Sequence, residues 1–322
     1  MVINYLILAH KNPEQLYRLV MRLDSRNVNF FIHIDKAVDI SAFSKGLSGL
    51  SNVYFLQNED RLFTPWSDIN GCKVLTTLLK KAYEKVKTNA YCLSLSGQDY
   101  PLKDNNYIYN YLKNHYGKNF ISIYKMADIW PEWRTRLERY NFHFPNNQRV
   151  FTGIFPLADK RCFTFRNFKK SFYLIKQLGL AKVIETFFKS RRLHPSYIEP
   201  VGGSAFWALP IETVGELLKY INEHPEFLNY HEYTHVADEI LFQSIVNLIK
   251  QPREIAESTT YTNWERKRDD DSGPVLFHTK EDLQELLTLN DHYLFARKFD
   301  TRLGSFILDE LDRKTNFQFE SY

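Results

Sequence analysis

Apolar runs and helical patterns alternate along the first part of the chain. Hydrophobic residues at helical spacing follow Asn12-Pro13, and a longer helical pattern covers Trp66–Lys87. The apolar runs occupy Val2–Ala9, Asn29–Ile34, Val53–Leu56 and Ala90–Leu95. Short apolar runs that alternate with helical patterns are typical of a doubly wound, mostly parallel sheet. The pattern therefore predicts an α/β fold with a Rossmann-like central sheet flanked by helices.

Polar residues stand where three of these predicted strands end. They are His10, Asp35 and the turn Gly97–Asp99. In open α/β sheets, ligands bind beyond the carboxyl ends of the strands, so we expect a ligand site there, with Asp99 pointing into the crevice. Gly97 lets another group approach the backbone closely. A polar turn between a strand and a helix accounts for Gly97–Asp99 equally well.

The remainder of the chain is less regular. Residues 126–200 are rich in Arg and aromatic residues and predict loops and helices over the sheet. Further on, the patterns predict a strand over Ser204–Leu209 and helices over Ile211–Glu223, Val236–Lys250, Asp282–Leu289 and Leu303–Leu311. Repeats and low-complexity linkers are absent from the sequence. We therefore expect one domain over 1–322, with a ligand-binding half (1–125) and a second half (126–322).

Composition and cysteine usage indicate the class of protein. The hydrophobic share of 44% and the charged share of 25% are ordinary for a soluble chain, whereas 16% aromatic residues is high. Aromatic side chains stack on sugar rings, although core packing also uses them. Cys72, Cys92 and Cys162 lack metal-ligand spacing, and one must remain unpaired, which favours a reducing compartment. The first apolar run is too short to span a bilayer, so we expect a cytoplasmic protein.

Positive charge is concentrated in one window. The net charge is only +4, so no nucleic-acid partner is expected, but residues 159–192 hold ten Lys/Arg and two acids, an excess of +8. Phe, Leu and Ile are interleaved with these charges. The window could be a basic amphipathic segment that contacts an anionic membrane surface peripherally. A solvated helix with its apolar face on the core is the alternative.

Two segments carry charges in apolar surroundings. In LFARKFD (294–300), Arg297 and Lys298 are framed by Phe295 and Phe299, which fits cations held in place for an anion. In VADEILF (236–242), Glu239 precedes an apolar run; a partly desolvated carboxylate has a raised pKa and suits a general base. Acids at the start of a helix, stabilised by its dipole, would show the same pattern.

Other motifs point to a ligand site or exclude protein classes. Small residues before Trp207, in GGSAFW, permit close approach of a ligand, but a bend before a core strand is equally consistent. The run Asp269–Asp271 could serve as a metal site, yet it lies in a polar loop and is typical of a solvated charge run. The chain has no P-loop, GxGxxG, GxSxG or HExxH motif. These absences argue against a P-loop NTPase, a nicotinamide dehydrogenase, a lipase and a zinc protease.

In order, eight segments resemble the core-2/I-branching N-acetylglucosaminyltransferase and peptide O-xylosyltransferase family. The segments are LAHKNPEQLYRLVMRL, FIHIDKAVD, PWSDINGCKVL, YCLSLSGQDYPLK, VGGSAFWALP, VADEILFQSIV, NWERK and LFARKFD. The resemblance implies a GT-A-type fold and an inverting, metal-independent transfer from a UDP-sugar to a glycan or lipid-linked glycan acceptor. The chain is similar to a bacterial member, and no cofactor is implied. With this resemblance, residues 1–125 are expected to form the nucleotide-binding half and residues 126–322 the acceptor-binding and catalytic half.

The resemblance also assigns roles to individual residues. Glu239 matches the general base and Lys298 the cation that binds the diphosphate, with Arg297 as a neighbouring cation. The donor-side matches are Leu8, His10, Asp35, Gly97, Gln98 and Asp99. The acceptor-side matches are Trp264 and, in a loosely aligned region, Arg134, Arg136 and Arg139, to which we add Trp207.

One departure from the family pattern keeps two further readings open. The family places a second diphosphate-binding arginine before the helix that precedes LFARKFD, where this chain has Val275 or Leu276. The residues that could take the place of this arginine are His278, Arg268 or Arg297. The departure would fit a catalytically silent protein that binds sugars or polysaccharide on the same fold. The basic window alone would fit a membrane-docked assembly factor.

Overall fold

The computed structural model describes residues 1–144, 147–264 and 273–319, with the side chains of 147–150 set aside. The strands are β1 (Val2–Ala9), β2 (Val28–Ile34), β3 (Val53–Phe55), β4 (Ala90–Ser96), β5 (Asp99–Pro101), β6 (Asn119–Phe120), β7 (Tyr124–Lys125), β8 (Tyr140–Phe144), β9 (Asn147–Ile154), β10 (Val201–Gly202), β11 (Ala208–Pro210), β12 (Ile255–Ala256), β13 (Thr260–Thr262) and β14 (Phe295–Arg297). The helices are α1 (Pro13–Leu23), α2 (Ser41–Ser44), α3 (Ile69–Lys85), α4 (Asn105–Asn114), α5 (Met126–Ile129), α6 (Trp133–Glu138), α7 (Phe165–Leu178), α8 (Leu180–Phe187), α9 (Ile211–Glu223), α10 (Pro225–Tyr230), α11 (Leu241–Ile249), α12 (Lys280–Thr288) and α13 (Phe306–Lys314).

A seven-stranded sheet forms the centre of the described chain, in the order β12-β6-β11-β4-β1-β2-β3. Strand β1 pairs parallel with β2 and β4, and β2 pairs parallel with β3. Strand β11 runs antiparallel to β4 and β6. The predicted α/β fold, with a mostly parallel central sheet flanked by helices, is therefore confirmed.

Alternating side chains of β1 divide the interior into two cores. Ile3, Tyr5 and Ile7 belong to the core that also contains apolar residues of α1, α4 and α13. Leu6 belongs to the core on the other side of the sheet, which α3, α9 and α11 complete. Because successive strand residues point to opposite faces, an uninterrupted apolar run is what a strand covered on both sides requires.

Two smaller units join the central sheet. In the first, β14 pairs parallel with β13 and antiparallel with β5, which brings the segment containing Arg297 beside Asp99. In the second, the hairpin of β8 and β9 packs against α7 and α8 around a separate apolar cluster. The three cysteines are buried and unpaired. Within the described residues, no helix is both long and apolar enough to cross a bilayer.

Two predicted elements start later than the sequence indicates, and both differences fall near the same place. The predicted helix Val236–Lys250 starts later: Val236 has a left-handed backbone (φ 54°), Ala237–Glu239 is a single 3₁₀ turn, and α11 begins at Leu241. The predicted strand Ser204–Leu209 is replaced by the short β11, and just before this segment Gly203 donates its backbone N–H to the Glu239 carbonyl (3.0 Å).

Candidate active site

The carboxyl ends of three neighbouring strands bring several predicted residues to one edge of the sheet. The register pairs Ala9 with Ile34 and Leu8 with Ser96, so the residues that follow these strands are neighbours. His10 is exposed there, whereas Leu8 is half-buried against the apolar core. A Cβ placed on Gly97 would lie 2.9 Å from the Ala9 Cβ, so the glycine lets the ends of β1 and β4 meet.

The structure places the side chains of three other predicted donor-side residues, Asp35, Gln98 and Asp99, inward. The Asp35 carboxylate accepts hydrogen bonds from the backbone of Ala37 and from both N–H and hydroxyl of Thr64, so it fastens the loop after β2. Gln98 is buried and donates to the Phe299 carbonyl (3.0 Å). Asp99 is fully buried and does not reach a crevice.

A cleft of about 630 Å³ opens between the edge of the central sheet and the smaller units. Its walls combine aromatic side chains with a few charged and hydroxyl groups. The lining residues are Trp66, Ser122, Tyr124, Ile129, Trp130, Arg136, Gly203, Ser204, Ala205, Phe206, His235, Val236, Glu239, Glu257, Ser258, Thr260, Tyr261, Thr262, Trp264, Tyr293 and Arg297. This mixture of apolar walls and few charges is typical of a small-molecule site.

Glu239 is the carboxylate of this cleft whose ionisation is most perturbed by its surroundings. Burial, and after it the neighbouring Asp238 carboxylate, raise the pKa of Glu239 to about 8 against the opposing effect of Arg136 and Arg297. Burial also raises the pKa of Asp238, whose Oδ1 has no hydrogen-bond partner within the described residues. A carboxylate with a pKa near neutrality takes and returns protons readily, which is the property of a general base.

Arg297 is, like Arg136, a cation on the wall of this cleft. Its Nε donates to the buried Asp99 carboxylate at 2.9 Å, and its guanidinium lies 3.8 Å from the centre of the Phe206 ring. Burial raises the pKa of Asp99, whereas Arg297 and the hydrogen bonds from Ser96 lower it. Asp99 therefore holds Arg297 in position and leaves the outer nitrogens of the guanidinium for another anion.

Lys298 lies next to this wall but is not among the described residues that line the cleft. It is half-buried, and its backbone bonds to Val275 and Phe277. Val275 is thus adjacent to the diphosphate cation that the resemblance implies, and its buried aliphatic side chain supplies no charge there. His278 hydrogen-bonds to the Leu276 carbonyl (3.0 Å), and Arg268 lies outside the described residues.

The predicted acceptor-side residues separate into two groups. Trp264 is exposed on the cleft, and Arg136 lies there with its guanidinium 4.1 Å from the Trp130 ring. The other three predicted residues are not among the described residues that line the cleft. Arg134 points to solvent near Glu138, and Arg139 stacks on Phe155 away from the cleft. Trp207 is buried against Phe242, and its neighbour Phe206 reaches the cleft instead.

A hydrogen-bonded group below the cleft was not predicted from the sequence. Ser67 Oγ lies 2.5 Å from His235 Nδ1 and 3.1 Å from His143 Nε2, and it accepts the Val236 N–H at 3.2 Å. His143 Nδ1 lies 3.2 Å from Asp68. A valine with positive φ costs about 1–3 kcal/mol, so this group stabilises the bend that presents Glu239.

Trp66 is a second residue missed by sequence reasoning. It is exposed on the cleft, and its ring contacts His235 edge-on at 5.4 Å. Both Trp66 and Ser67 belong to the PWSD segment. A tryptophan just before a helix cap could have indicated a residue of the site. Gly203 also has a structural reason, because a Cβ there would lie 1.8 Å from the Ser122 carbonyl oxygen; the glycine lines the cleft as well.

Metal ligands are not grouped in the part of the chain that the structure describes. Within those residues, no three His, Cys, Asp or Glu side chains are arranged to hold an ion. The run Asp269–Asp271, our alternative metal site, lies outside the described residues.

Comparisons by sequence indicate one family. A family model described as "Core-2/I-Branching enzyme" matches residues 3–287. The chain is 24% identical over 338 residues to the beta-1,3-galactosyl-O-glycosyl-glycoprotein beta-1,6-N-acetylglucosaminyltransferase of Bos taurus, covering 96% of this chain and 68% of that protein. Identity to the Homo sapiens enzyme of the same name is 23% over 340 residues, with the same coverage. The solved apo structure of mouse xyloside xylosyltransferase 1 aligns with 92% of this chain and 97% of its own, at 10% identity and a TM-score of 0.36, a distant likeness.

Proposed function

Because the chain belongs to the Core-2/I-Branching enzyme family and is therefore a glycosyltransferase, we propose that it transfers a sugar from a UDP-sugar to a hydroxyl group of a glycan or lipid-linked glycan. N-acetylglucosamine and xylose are the sugars that the names of its relatives carry. The observation that supports the proposal is the position of Glu239, a carboxylate of raised pKa in an aromatic cleft that also contains Arg297.

In the proposed reaction, Glu239 accepts the proton of the acceptor hydroxyl while that oxygen forms a bond to the anomeric carbon. The bond from the anomeric carbon to the diphosphate oxygen breaks, its electron pair leaves with UDP, and the configuration inverts. A positioned general base contributes typically about 10²–10⁴-fold to the rate. The raised pKa of Glu239 makes the carboxylate a stronger base than an exposed glutamate would be.

The leaving diphosphate needs fixed positive charge, and we assign it to Arg297 and Lys298 without a metal ion. A unit charge about 4 Å from the diphosphate contributes on the order of 4 kcal/mol at an effective dielectric constant of about 20. Asp99 keeps the Arg297 guanidinium in place, so the charge needs little reorganisation during the reaction.

The aromatic walls suit a sugar acceptor. Trp66 and Trp264 are both exposed on the cleft, and Trp130 is fixed by the guanidinium of Arg136 above its ring. Exposed tryptophans offer flat apolar faces to the C–H side of a pyranose, and the hydroxyl-bearing side meets Ser122, Ser258 or solvent. We assign these walls to the acceptor.

The test combines turnover with donor binding. Glu239→Gln should lower transfer by at least about 100-fold while UDP binding stays unchanged, because the amide cannot take a proton. Glu257→Gln is the matched control: Glu257 also lines the cleft, but it is exposed and bonded to Tyr124, so turnover should fall far less. Near-normal transfer by Glu239→Gln would refute the role of Glu239. Loss of activity in EDTA with rescue by Mn²⁺ would refute the metal-free mechanism.

A sugar-binding protein without catalysis is the second candidate, and Val275 is the observation that favours it. An aliphatic side chain stands beside Lys298, where the resemblance calls for an arginine. A thermal-shift screen distinguishes the two functions. Stabilisation by UDP-sugars, followed by their transfer or hydrolysis, supports the enzyme. Stabilisation by oligosaccharides alone, without turnover of any UDP-sugar, supports the binding protein.

A further inference from the structure

The helices α7 and α8 expose apolar side chains on the faces that point away from the protein. Phe165, Phe168 and Phe172 are 83%, 69% and 55% exposed and follow one another at intervals of three and four residues, so they share a face of α7. The opposite face buries Asn167, Ser171 and Leu174. Three phenylalanines on the outer side of a helix are not explained by the core of this protein.

The second helix repeats this arrangement. Leu180 and Ile184 are exposed at an interval of four residues, and Phe188 follows four residues later with 78% of its side chain exposed. Val183 and Thr186 face the protein instead. We name these six exposed residues, together with Phe163, the α7–α8 surface. Exposed apolar residues that cluster on two adjacent helices, unlike single scattered ones, mark an interaction site.

Positive charge surrounds this surface. Lys160, Lys169 and Lys176 are exposed, and the Lys176 ammonium lies 4.9 Å from the Phe172 ring. The only acids between residues 159 and 192 are Asp159, which is buried and pairs with Arg161 and Arg191, and Glu185, which pairs with Lys182 and Lys189. The acids are therefore engaged within the protein, while lysines next to the phenylalanines face solvent.

We propose that the α7–α8 surface docks on the face of a bilayer that contains anionic lipids, an inference that does not depend on the proposed function. The phenylalanines enter the boundary between headgroups and acyl chains, and the lysines bind the lipid phosphates while their methylene stems follow the apolar side chains. A second copy of the chain is a poor occupant of this surface. Symmetric pairing would bring together two segments that each carry an excess charge of +8, and these would repel each other.

The bilayer also explains why apolar and basic residues occur together. An apolar patch alone fits a protein partner, and a basic patch alone fits any polyanion. Interfacial helices need both apolar contact and charge attraction. The apolar contact comes from Phe168 and Phe172, and the charge comes from Lys169 and Lys176, which lie between and beside them. Each basic residue near an anionic surface strengthens binding by about fivefold.

Vesicle sedimentation of the full chain tests the proposal. The protein should sediment with vesicles of phosphatidylcholine containing about one third phosphatidylglycerol, sediment at least about tenfold less with phosphatidylcholine alone, and be released by about 0.5 M NaCl. The triple variant Phe165→Ser/Phe168→Ser/Phe172→Ser and the double variant Lys169→Glu/Lys176→Glu should each reduce binding at least about tenfold. All five positions are exposed, so a thermal transition like that of the wild type is expected.

Matched controls lie elsewhere on the surface. Leu303→Ser and Lys219→Glu change an exposed leucine and an exposed lysine outside α7 and α8, and both should bind vesicles like the wild type. Absence of wild-type binding to anionic vesicles would overturn the proposal, as would equal binding to both vesicle types at any salt. A lipid-free dimer that the triple variant abolishes would assign the surface to self-association instead.

Discussion

Replacing Glu239 with glutamine should stabilise the protein, by an amount that grows with pH. A carboxyl group whose pKa is higher in the folded than in the unfolded state binds more protons when folded, so stability falls as the pH rises between the two pKa values. For Glu239 those values are the ordinary 4.5 and about 8. The amide never ionises, so the variant avoids this loss.

The size of the effect follows from the shift. At about 1.36 kcal/mol per pKa unit, the full shift corresponds to roughly 4–5 kcal/mol. Solvent on the open side of the cleft screens part of this free energy. We therefore expect Glu239→Gln to raise the free energy of unfolding by about 2–3 kcal/mol above pH ~8 and by less than about 1 kcal/mol near pH 5. With an unfolding entropy of about 2 cal/mol/K per residue over the 322 residues, this raises the melting temperature by about 3–5 °C.

Thermal unfolding of the wild type and of Glu239→Gln, over a pH series from about 5 to about 9, measures this difference in stability directly. The difference in melting temperature should widen up to about pH 8 and then stay constant. The exposed Glu257→Gln control should show no widening. A difference between wild type and Glu239→Gln that does not change over the series would show that the Glu239 carboxyl is not desolvated, and would refute the reasoning for its role as a base.

Three further predictions concern the same cleft. Turnover of the wild type should rise with pH and level off above about pH 8, since Glu239 must be ionised to act; a flat profile in initial-rate assays would contradict this. Arg297→Ala should weaken UDP binding by about 10–100-fold in calorimetry, and a dissociation constant equal to that of the exposed control Arg313→Ala would remove Arg297 from the donor site. Ser67→Ala should lower kcat by about tenfold with an unchanged KM for the donor, because it loosens the bend at Val236; equal changes in both constants would indicate a different role for Ser67.

The sequence predicted the central sheet well because its strands are covered on both sides. An apolar run such as Ala90–Leu95 suits a strand that is buried on both faces, and the structure has a buried strand there. The break at Val236 could not be predicted in the same way. Periodicity reports neighbours along the helix, whereas the Val236 N–H is taken by Ser67, which is 169 residues away in sequence.

In the candidate site, too, features set by neighbours in the sequence could be predicted, whereas features set by residues distant in the sequence could not. Glu239 was identified because its acidic side chain adjoins an apolar run, and the structure surrounds it with protein. Trp207 is buried and its neighbour Phe206 lines the cleft, and the sequence has two adjacent aromatic residues there without a pattern that tells which one faces the core. Arg297 was treated as a neighbour of Lys298, since only tertiary pairing of β14 with β5 brings it to Asp99.

The pairing of β11 with β4 has a consequence for synthesis of the protein. Strand β4 is complete once residue 96 has been made, but the strand that covers its open edge is not made until residues 208–210. In the meantime the nascent sheet presents an apolar edge with free backbone hydrogen-bonding groups, which is a template for aggregation. We expect truncated chains that end before β11 to need chaperones or to aggregate, although they contain all of β1 to β4.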